Sequence, residues 1–289
     1  MRIDNCLILS AGFGKRMGKI GEILPKPLWP VGDKTLLEYQ YELVKSIGIK
    51  NIFVNISHQG NQITSFLSQK KLKVNIVEEA TPIEVGGSLQ NLVNMDVKGN
   101  CLIINSDQLI LNFNDLVSKM EKLYKDMPTL GCLASVVVAE SDPYNRFVIN
   151  DEKLIAIQKY NKTGQNSNST YAGVGIINLN LLPKKKLETI SLFELIFQNK
   201  QKNDILTYQA NRRNFFDVGT KEKYAEFLFN NYNNDSFEFL NLEKFFQNNF
   251  FNFSGKAWKK APAGSIVLSG EEFELPYASI CYESIFDQL

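Results

Sequence analysis

Residues 6–30 read CLILSAGFGKRMGKIGEILPKPLWP, and three features of this stretch decide the fold. Residues 6–9 are a short apolar run that ends in small residues, which is typical of a buried strand. Gly12 and Gly14 follow in a loop with little side-chain bulk, so backbone N–H groups can approach a ligand closely. Lys26 adds a positive charge after the loop. A strand, a glycine loop and a nearby cation predict a site for phosphate.

Two familiar phosphate-binding motifs do not fit this loop. No Gly-Lys-Ser/Thr follows at the spacing of a Walker loop, and the third glycine of the dinucleotide fingerprint is missing. Lys15 and Arg16 bring further positive charge to the loop. Pro25 and Pro27 restrict the backbone around Lys26, and a lysine fixed in this way suits a phosphate as a point charge.

The composition bounds the fold and the classes of function. With 289 residues, 44% of them hydrophobic, the chain can form one large α/β domain, or one domain with an appendage. Its net charge of +1 gives no global basic field for nucleic acid. The four cysteines are widely spaced and predict buried free thiols rather than a disulfide or zinc set. Because we find no signal-peptide pattern and no membrane span, we expect a cytoplasmic protein that binds neither nucleic acid nor membrane.

Strand and helix patterns alternate through the first part of the chain. Apolar strands are predicted at residues 6–9, 51–56, 72–77, 101–105 and 130–139. Amphipathic helices are predicted between them at residues 36–47, 60–70, 88–95 and 113–125. Such alternation predicts βαβ crossovers and an α/β fold with a Rossmann-like, doubly wound and mainly parallel sheet.

The pattern changes after about residue 140. Residues 146–149 and 154–159 flank a polar turn and predict a hairpin. The elements predicted after the hairpin are strands at 171–179 and 205–209, a short helix at 191–198, a loop at 214–220 and a helix at 221–232.

The chain is predicted to divide into three parts. Residues 1–233 form the α/β domain, and the Asn- and Phe-rich residues 234–254 form a connector. Residues 255–289 contain short strand-like runs, as in a degenerate hexapeptide-repeat β-helix turn or an irregular β appendage. We therefore expect a small β-rich C-terminal appendage. Whether the chain forms a homo-oligomer is left open.

Several candidate site residues follow predicted strands, where open parallel sheets bind their ligands. Asp107 follows the strand at 101–105 after one intervening serine, and Asp217 follows an apolar pair. A carboxylate at such a position can hold a hard divalent cation, or it can cap a turn or a helix. Gly86 and Gly87 precede a predicted helix, where N–H groups could meet a base, a sugar or a phosphate. Two glycines are equally common in plain loops.

Together these motifs resemble the sugar-1-phosphate nucleotidyltransferases, also called nucleoside-diphosphate-sugar pyrophosphorylases. The family's opening signature, Gly-x-Gly-x-Arg-Leu/Met followed by Pro-Lys-Pro, is matched by residues 12–17 and 25–27. Four later motifs of the family are matched, in order, at Gly86-Gly87, Asn105–Asp107, Tyr171–Gly173 and Asp217–Thr220. Within the family the chain is most similar to short bacterial forms, namely the N-acetylmuramate-1-phosphate uridylyltransferases and the heptose- and mannose-1-phosphate guanylyltransferases.

The resemblance implies a reaction and its catalytic residues. A nucleoside triphosphate and a sugar-1-phosphate would give a nucleotide sugar and pyrophosphate. Asp107 and Asp217 would hold Mg²⁺, Arg16 would meet the triphosphate, and Lys26 would contact the reacting phosphates.

The resemblance also assigns residues to the two substrates. Lys159 would bind the sugar phosphate, and Gly173 would lie along the sugar. The residues that would contact the nucleotide are Ala11, Gly12, Gly14, Gly86 and Gly87.

Two other functions stay open on the sequence alone. One is a cytidylyltransferase that acts on a phosphorylated alcohol such as phosphocholine, and the other is a non-catalytic regulatory module that binds a nucleotide sugar. The presence of Arg16, Lys26, Asp107 and Asp217 favours an enzyme, and Lys159 favours a sugar substrate.

Overall fold

A nine-stranded sheet forms the centre of the molecule. The computed structural model describes residues 2–14, 21, 24–31, 34–126, 129–161, 167–199 and 204–220, the helical residues Lys223, Tyr224 and Phe227, and the segments 258–260 and 266–268.

The described strands and helices follow one another along the chain. The strands are β1 (Ile3–Leu9), β2 (Pro30–Val31), β3 (Lys34–Thr35), β4 (Asn51–Ile56), β5 (Asn75–Glu78), β6 (Asn100–Asn105), β7 (Gln108–Ile110), β8 (Gly131–Val137), β9 (Arg146–Asn150), β10 (Lys153–Gln158), β11 (Ser169–Asn178), β12 (Ile205–Gln209), β13 (Phe215–Asp217), β14 (Trp258–Lys260) and β15 (Ile266–Leu268). The α-helices are α1 (Leu36–Ser46), α2 (Gly60–Gln69), α3 (Glu84–Asn94), α4 (Phe113–Asp126) and α5 (Leu192–Asn199).

The central sheet has the strand order β5-β4-β1-β6-β11-β8-β12-β10-β9. Parallel pairing joins β5, β4, β1 and β6, and it also joins β8 to β12. β11 is antiparallel to both β6 and β8, and β10 is antiparallel to both β12 and β9. All strands except β11 and β10 therefore point in one direction, which confirms the predicted α/β fold with a mainly parallel sheet.

Burial on both faces explains why the central strands are continuous apolar runs. In β1, Cys6 and Ile8 belong to one buried cluster with residues of α1, α2 and α4. Leu7, between them, belongs to a second cluster with residues of α3 and α5. Helices thus cover both faces of the sheet, as a doubly wound fold requires.

Most of the predicted elements are found within a few residues of their predicted bounds. β9 and β10 pair antiparallel, which confirms the hairpin. The helix α1 is capped by Thr35, whose Oγ1 accepts a hydrogen bond from the Glu38 backbone N–H over 3.0 Å. Three cysteines are buried free thiols as predicted, and burial raises the pKa of the Cys101 thiol to about 12. Cys281 lies outside the described residues.

Two predictions of local structure are wrong. The helix predicted to begin at residue 88 begins at Glu84, so Gly86 and Gly87 lie inside its first turn rather than before it. The loop predicted at 214–220 contains β13, which pairs with β7. A three-residue strand carries almost no local signal, and its partner lies far away in the sequence.

The C-terminal part of the chain is described only in part. Lys223, Tyr224 and Phe227 are helical, as predicted for residues 221–232. β14 and β15 form an antiparallel pair, and the rest of residues 228–289 lies outside the described residues. Within the described part of the chain, no helix has the length and apolar character needed to cross a bilayer.

Gly173 interrupts the pairing of β11, whose register with β8 shifts between Tyr171 and Gly175. Its φ is +78°, a left-handed conformation that side chains disfavour. A Cβ at this position would lie 2.6 Å from the Cγ of Gln108. A glycine is thus required both by the backbone and by the side chain beside it.

We predict that Gly173→Ala lowers the free energy of unfolding by about 3 kcal/mol, because strain of about 1 kcal/mol from the positive φ adds to overpacking. Gly48→Ala is the matched control, since Gly48 has φ +82° and no heavy atom within 4 Å of its Cβ position. Urea denaturation of both variants separates the cost of the backbone strain from the cost of overpacking. Equal losses in the two variants would show that the contact with Gln108 costs nothing.

Candidate active site

A cavity of about 470 Å³ lies at the carboxyl ends of β1, β4 and β6. Leu9, Asn55 and Asn105, each at or next to the last residue of its strand, contribute to the wall. The wall also contains five residues that the sequence predicted as site residues, namely Ala11, Gly12, Gly14, Lys26 and Asp107. The fold therefore brings the glycine loop, one lysine and one aspartate to a single cavity, at the edge of the sheet where ligands are expected.

Lys26 and Asp107 form an ion pair in this wall. The Lys26 Nζ lies 2.7 Å from the Asp107 Oδ2, and the two side chains are only 11% and 20% exposed. Lys26 begins a single 3₁₀ turn in which the Leu28 N–H donates to the Pro25 carbonyl over 2.9 Å. The predicted stiffening by prolines is consistent with this turn, which presents the ammonium group to the cavity.

Asp217 is held beside Asp107 by backbone pairing. β13 pairs with β7, and the Val218 N–H donates to the Asp107 carbonyl oxygen over 3.1 Å. Gly219 lines the main cavity, whereas Asp217 itself lines a smaller pocket with Tyr144. Two carboxylates that are far apart in the sequence are thus placed on neighbouring segments at one edge of the site.

Three donors surround the Asp217 carboxylate. Its Oδ2 accepts hydrogen bonds from the Tyr144 hydroxyl over 2.5 Å and from the Lys223 Nζ over 2.6 Å. Its Oδ1 accepts one from the Gly219 N–H over 2.7 Å. Burial raises the pKa of Asp217, but the bonds from Lys223 and Tyr144 outweigh burial and bring the pKa below its usual value. The carboxyl group is therefore held in its charged form.

Lys223 is the counter-ion of this carboxylate. Its Nζ also contacts the Tyr144 hydroxyl and lies 4.4 Å from the centre of the Tyr144 ring. Burial lowers the pKa of Lys223, but the bond to Asp217 outweighs burial, and the pKa is raised overall. Each of the two aspartates predicted to hold a metal ion is thus paired with the ammonium group of one lysine.

The described residues include no group of three or more His, Cys, Asp or Glu side chains that could hold a metal ion. The donor set at this edge is the pair Asp107 and Asp217. Mg²⁺ is commonly bound by one or two carboxylates, with substrate phosphates and water as its other ligands. Asp107 in the wall of the cavity and Asp217 on the adjoining segment are oxygen donors of the kind that suits such an ion.

A buried polar network that the motifs did not reveal connects the glycine loop to α3. The Asn55 Oδ1 accepts a hydrogen bond from the Ser10 N–H over 2.6 Å. The Asn55 Nδ2 donates to the Glu79 Oε1 and to the Ser88 Oγ, each over 3.0 Å. The Ser88 hydroxyl donates to the Glu79 Oε1 over 2.5 Å, and the Ile83 N–H donates to the Glu79 Oε2 over 3.2 Å. These bonds fix the position of the loop at the end of β1 relative to the first turn of α3.

The only local signal for this network is a polar residue, Asn55, near the end of a strand that is otherwise buried and apolar. Its side chain is 4% exposed, and that of Glu79 is 7% exposed. A buried amide and a buried carboxylate each need hydrogen-bond partners. Each therefore predicts that another polar group lies nearby, but the sequence does not say which residue supplies it.

Gly86 and Gly87 pack against the chain segment before α5. The Gly87 N–H donates to the Ile190 carbonyl over 3.1 Å, and a Cβ on Gly87 would lie 2.7 Å from the Glu188 carbonyl oxygen. A Cβ on Gly86 would collide with the carbonyl oxygen of Ser191. Neither glycine is among the described residues that line the main cavity, although their neighbour Val85 is. Their contact with a nucleotide stays a prediction.

The three remaining predicted residues are not among the described lining of the cavity. Lys159 follows β10 and is exposed. Gly173 lies against the side chains of Asn105 and Gln108, on either side of Asp107 in the chain. Arg16 lies outside the described residues.

We predict that Ser88→Ala lowers the free energy of unfolding by about 2 kcal/mol, because it removes a hydroxyl that pairs with the buried Asn55 and Glu79 side chains. Ser46→Ala removes an exposed hydroxyl that also bonds a helix carbonyl, and it should cost less than about 0.5 kcal/mol. Urea denaturation monitored by circular dichroism measures both. A Ser88→Ala protein as stable as the control would contradict a structural role for the network.

The chain has relatives of known activity and known structure. It is 26% identical over 227 residues to the D-glycero-alpha-D-manno-heptose 1-phosphate guanylyltransferase of Campylobacter jejuni, covering 78% of this chain and 99% of the relative. The enzyme of the same name from Aneurinibacillus thermoaerophilus is 25% identical, covering 76% and 95% of the two chains. A probable mannose-1-phosphate guanylyltransferase of Oryza sativa is 22% identical, covering 75% of this chain and 62% of the relative.

Solved structures share the fold. HddC from Yersinia pseudotuberculosis superposes with a TM-score of 0.62 at 21% identity, covering 78% of this chain and 97% of that chain. A UDP-glucose pyrophosphorylase complexed with UDP-glucose superposes with a TM-score of 0.64 at 18% identity, covering 78% and 97%.

A protein family defined by a MobA-like NTP transferase domain matches residues 6–167, which is more than half of the chain. The match spans the glycine loop, Lys26 and Asp107, all three in the wall of the cavity. The chain belongs to the MobA-like NTP transferase domain family.

Proposed function

We propose that this chain is a sugar-1-phosphate nucleotidyltransferase, which joins a nucleoside triphosphate to a sugar-1-phosphate and releases pyrophosphate. The ion pair of Lys26 and Asp107 in the wall of a cavity of about 470 Å³ carries the proposal, because it sets a cation and a carboxylate beside the glycine loop. Membership of an NTP transferase family supports the proposal. The names of the heptose and mannose guanylyltransferases, each of which includes a sugar 1-phosphate, also support it.

The reaction needs little covalent chemistry from the protein. An oxygen of the sugar phosphate attacks the α-phosphorus in line, and this nucleophile is already an anion, so no general base is required. The protein must hold two anions together and balance their charge. Lys26 would exchange the Asp107 carboxylate for phosphate oxygens when substrate binds, and Arg16 would contact the triphosphate. Ala11, Gly12 and Gly14 would allow the nucleotide to approach the backbone.

Asp107 and Asp217 would hold Mg²⁺, which supplies positive charge to the reacting phosphates. Backbone pairing of β7 with β13 keeps these two residues adjacent. From their match to the family motifs, we assign Lys159 and Gly173 to the binding of the sugar phosphate. From the same motifs, we assign Gly86 and Gly87 to the binding of the nucleotide.

We further propose guanosine triphosphate and a heptose or mannose phosphate as the substrates. The two heptose-1-phosphate guanylyltransferases are matched over 99% and 95% of their length. The relatives' substrates favour a sugar over a phosphorylated alcohol, and the charged groups collected at the site favour turnover over simple binding.

The two heptose-1-phosphate guanylyltransferases match 78% and 76% of this chain, and almost the whole of each relative lies within the match. We therefore assign the reaction to residues 1–233, with 234–254 as a connector and 255–289 as an appendage. We place the activity in the cytoplasm, where nucleoside triphosphates are abundant.

Pyrophosphate release with a matrix of nucleoside triphosphates and sugar-1-phosphates, with phosphocholine as an additional acceptor, tests the proposal. We expect turnover with guanosine triphosphate and a heptose- or mannose-1-phosphate, dependent on Mg²⁺. If pyrophosphate were released only with phosphocholine and cytidine triphosphate, the acceptor would be a phosphorylated alcohol and not a sugar. If no pair of substrates released pyrophosphate, the result would support a binding module.

We predict that Asp107→Asn lowers turnover on the order of 100-fold or more, because it removes a charged group at the reacting phosphates. The fold should survive, since the Asp107 carbonyl still accepts from the Val218 N–H. Asp115→Asn, on an exposed i,i+4 pair with Lys119, is the control and should keep full turnover. Near-normal turnover of Asp107→Asn would refute the metal assignment.

A further inference from the structure

A fully buried arginine organises the loop between β8 and β9. The Arg146 side chain is 0% exposed. Its Nη1 donates to the Tyr144 carbonyl over 2.6 Å, and its Nη2 donates to the carbonyls of Ala139 over 2.8 Å and Asp142 over 2.9 Å. A longer contact of 3.4 Å joins Nη2 to the Glu140 carbonyl. One guanidinium group thus binds four carbonyls of a single loop and closes that loop around itself.

The charge of Arg146 is compensated by carbonyl dipoles. No salt bridge to Arg146 occurs within the described residues. A buried charge without an ionic partner is costly, and it persists only where fixed hydrogen-bond acceptors replace water. The loop is also tied to β11, because the Thr170 hydroxyl donates to the Asn145 carbonyl over 2.7 Å. The backbone of Tyr144 is therefore held from both sides.

The side chain of Tyr144 leaves this loop and reaches Asp217. Its hydroxyl donates to the Asp217 Oδ2 over 2.5 Å, and Lys223 donates to the same oxygen over 2.6 Å. Asp217 Oδ1 accepts one hydrogen bond, from the Gly219 N–H. A carboxylate has about four lone-pair positions. Donors among the described residues engage three of these positions, two on Oδ2 and one on Oδ1.

We propose that Tyr144 is a positioning residue for Asp217, and that Arg146 acts through Tyr144 by fixing the loop that carries it. The hydroxyl of Tyr144 holds the Asp217 carboxylate in one orientation, in which the carboxylate would serve as a ligand of a divalent cation. This inference rests on the proposed metal role of Asp217. Partners of metal-binding carboxylates commonly change metal affinity by about 10–100-fold when they are removed.

Tyr144→Phe tests the proposal, because it removes one hydroxyl and keeps the ring that contacts Lys223. We expect the half-saturating concentration of free Mg²⁺ for turnover to rise about tenfold, with most of the turnover recovered at saturating Mg²⁺. Binding of Mn²⁺ alone, followed by the paramagnetic resonance signal of the free ion, should weaken by a similar factor. Unchanged values in both measurements would overturn the proposal.

Tyr124→Phe is the matched control. The Tyr124 hydroxyl also has two oxygens within hydrogen-bonding distance, the Asn100 Oδ1 at 3.2 Å and the Thr129 carbonyl at 3.1 Å, and it donates its proton to one of them, away from the candidate site. This variant should lose stability without a change in metal dependence. An equal change in half-saturating Mg²⁺ in both variants would assign the effect to general loosening and overturn the proposal.

A double-mutant cycle tests the part played by Arg146. Arg146→Lys keeps the charge but replaces the planar guanidinium fork, which reaches four carbonyls, with a single ammonium group, so it should also raise the half-saturating Mg²⁺ concentration. In the Tyr144→Phe background, the same substitution should add less than about twofold, because its effect passes through the missing hydroxyl. Additive effects would show that Arg146 does not act through Tyr144.

Asp217→Asn separates the failure of this inference from the failure of the proposed function. If Asp217→Asn is inactive while Tyr144→Phe has normal metal dependence, the metal assignment stands and the positioning role falls. Normal metal dependence in Asp217→Asn itself would refute the metal assignment and, with it, the role of Tyr144.

Discussion

The candidate active site depends on the pairing of two very short strands, β7 and β13. Asp107 precedes one of these strands and Asp217 ends the other, and the Val218 N–H bond to the Asp107 carbonyl joins them directly. Two partly buried carboxylates on adjoining segments need opposing charge. The backbone bonds supply the geometry, and the lysines Lys26 and Lys223 supply the charge, one for each aspartate. A chain with a net charge of only +1 can therefore bind highly charged substrates through a local cluster.

The parallel half of the sheet could be predicted from sequence because both of its faces are buried. A continuous buried apolar run such as residues 101–104 predicts a strand of a sheet covered on both faces, and the carboxyl end of that strand indicates where the cavity lies. Asp107 was identified because it follows such a run, and Lys26 because prolines flank it. These residues owe their positions to local sequence, which is why motif reading located them.

The rest of the site depends on contacts between distant segments, and local patterns do not record these. β13 forms only because β7 is present, so the sequence around Phe216 favoured a loop. Asn55, Glu79 and Ser88 come from three separate elements and become a network only when the sheet and α3 are assembled. The glycines at 86 and 87 were read as a ligand-binding turn, but close packing against the Glu188–Ser191 backbone is itself a sufficient reason for glycine there.

The two halves of the site are therefore stabilised by different physical means. On the side of the glycine loop, the loop after β1 is anchored through Asn55, near the carboxyl end of β4, to a buried network with Glu79 and Ser88. On the opposite side, Tyr144 lies on a loop whose conformation is set by one arginine and by carbonyl groups that any sequence provides. Those carbonyls belong to the backbone, so the shape of this loop depends on Arg146 more than on the side chains of the residues that supply the carbonyls.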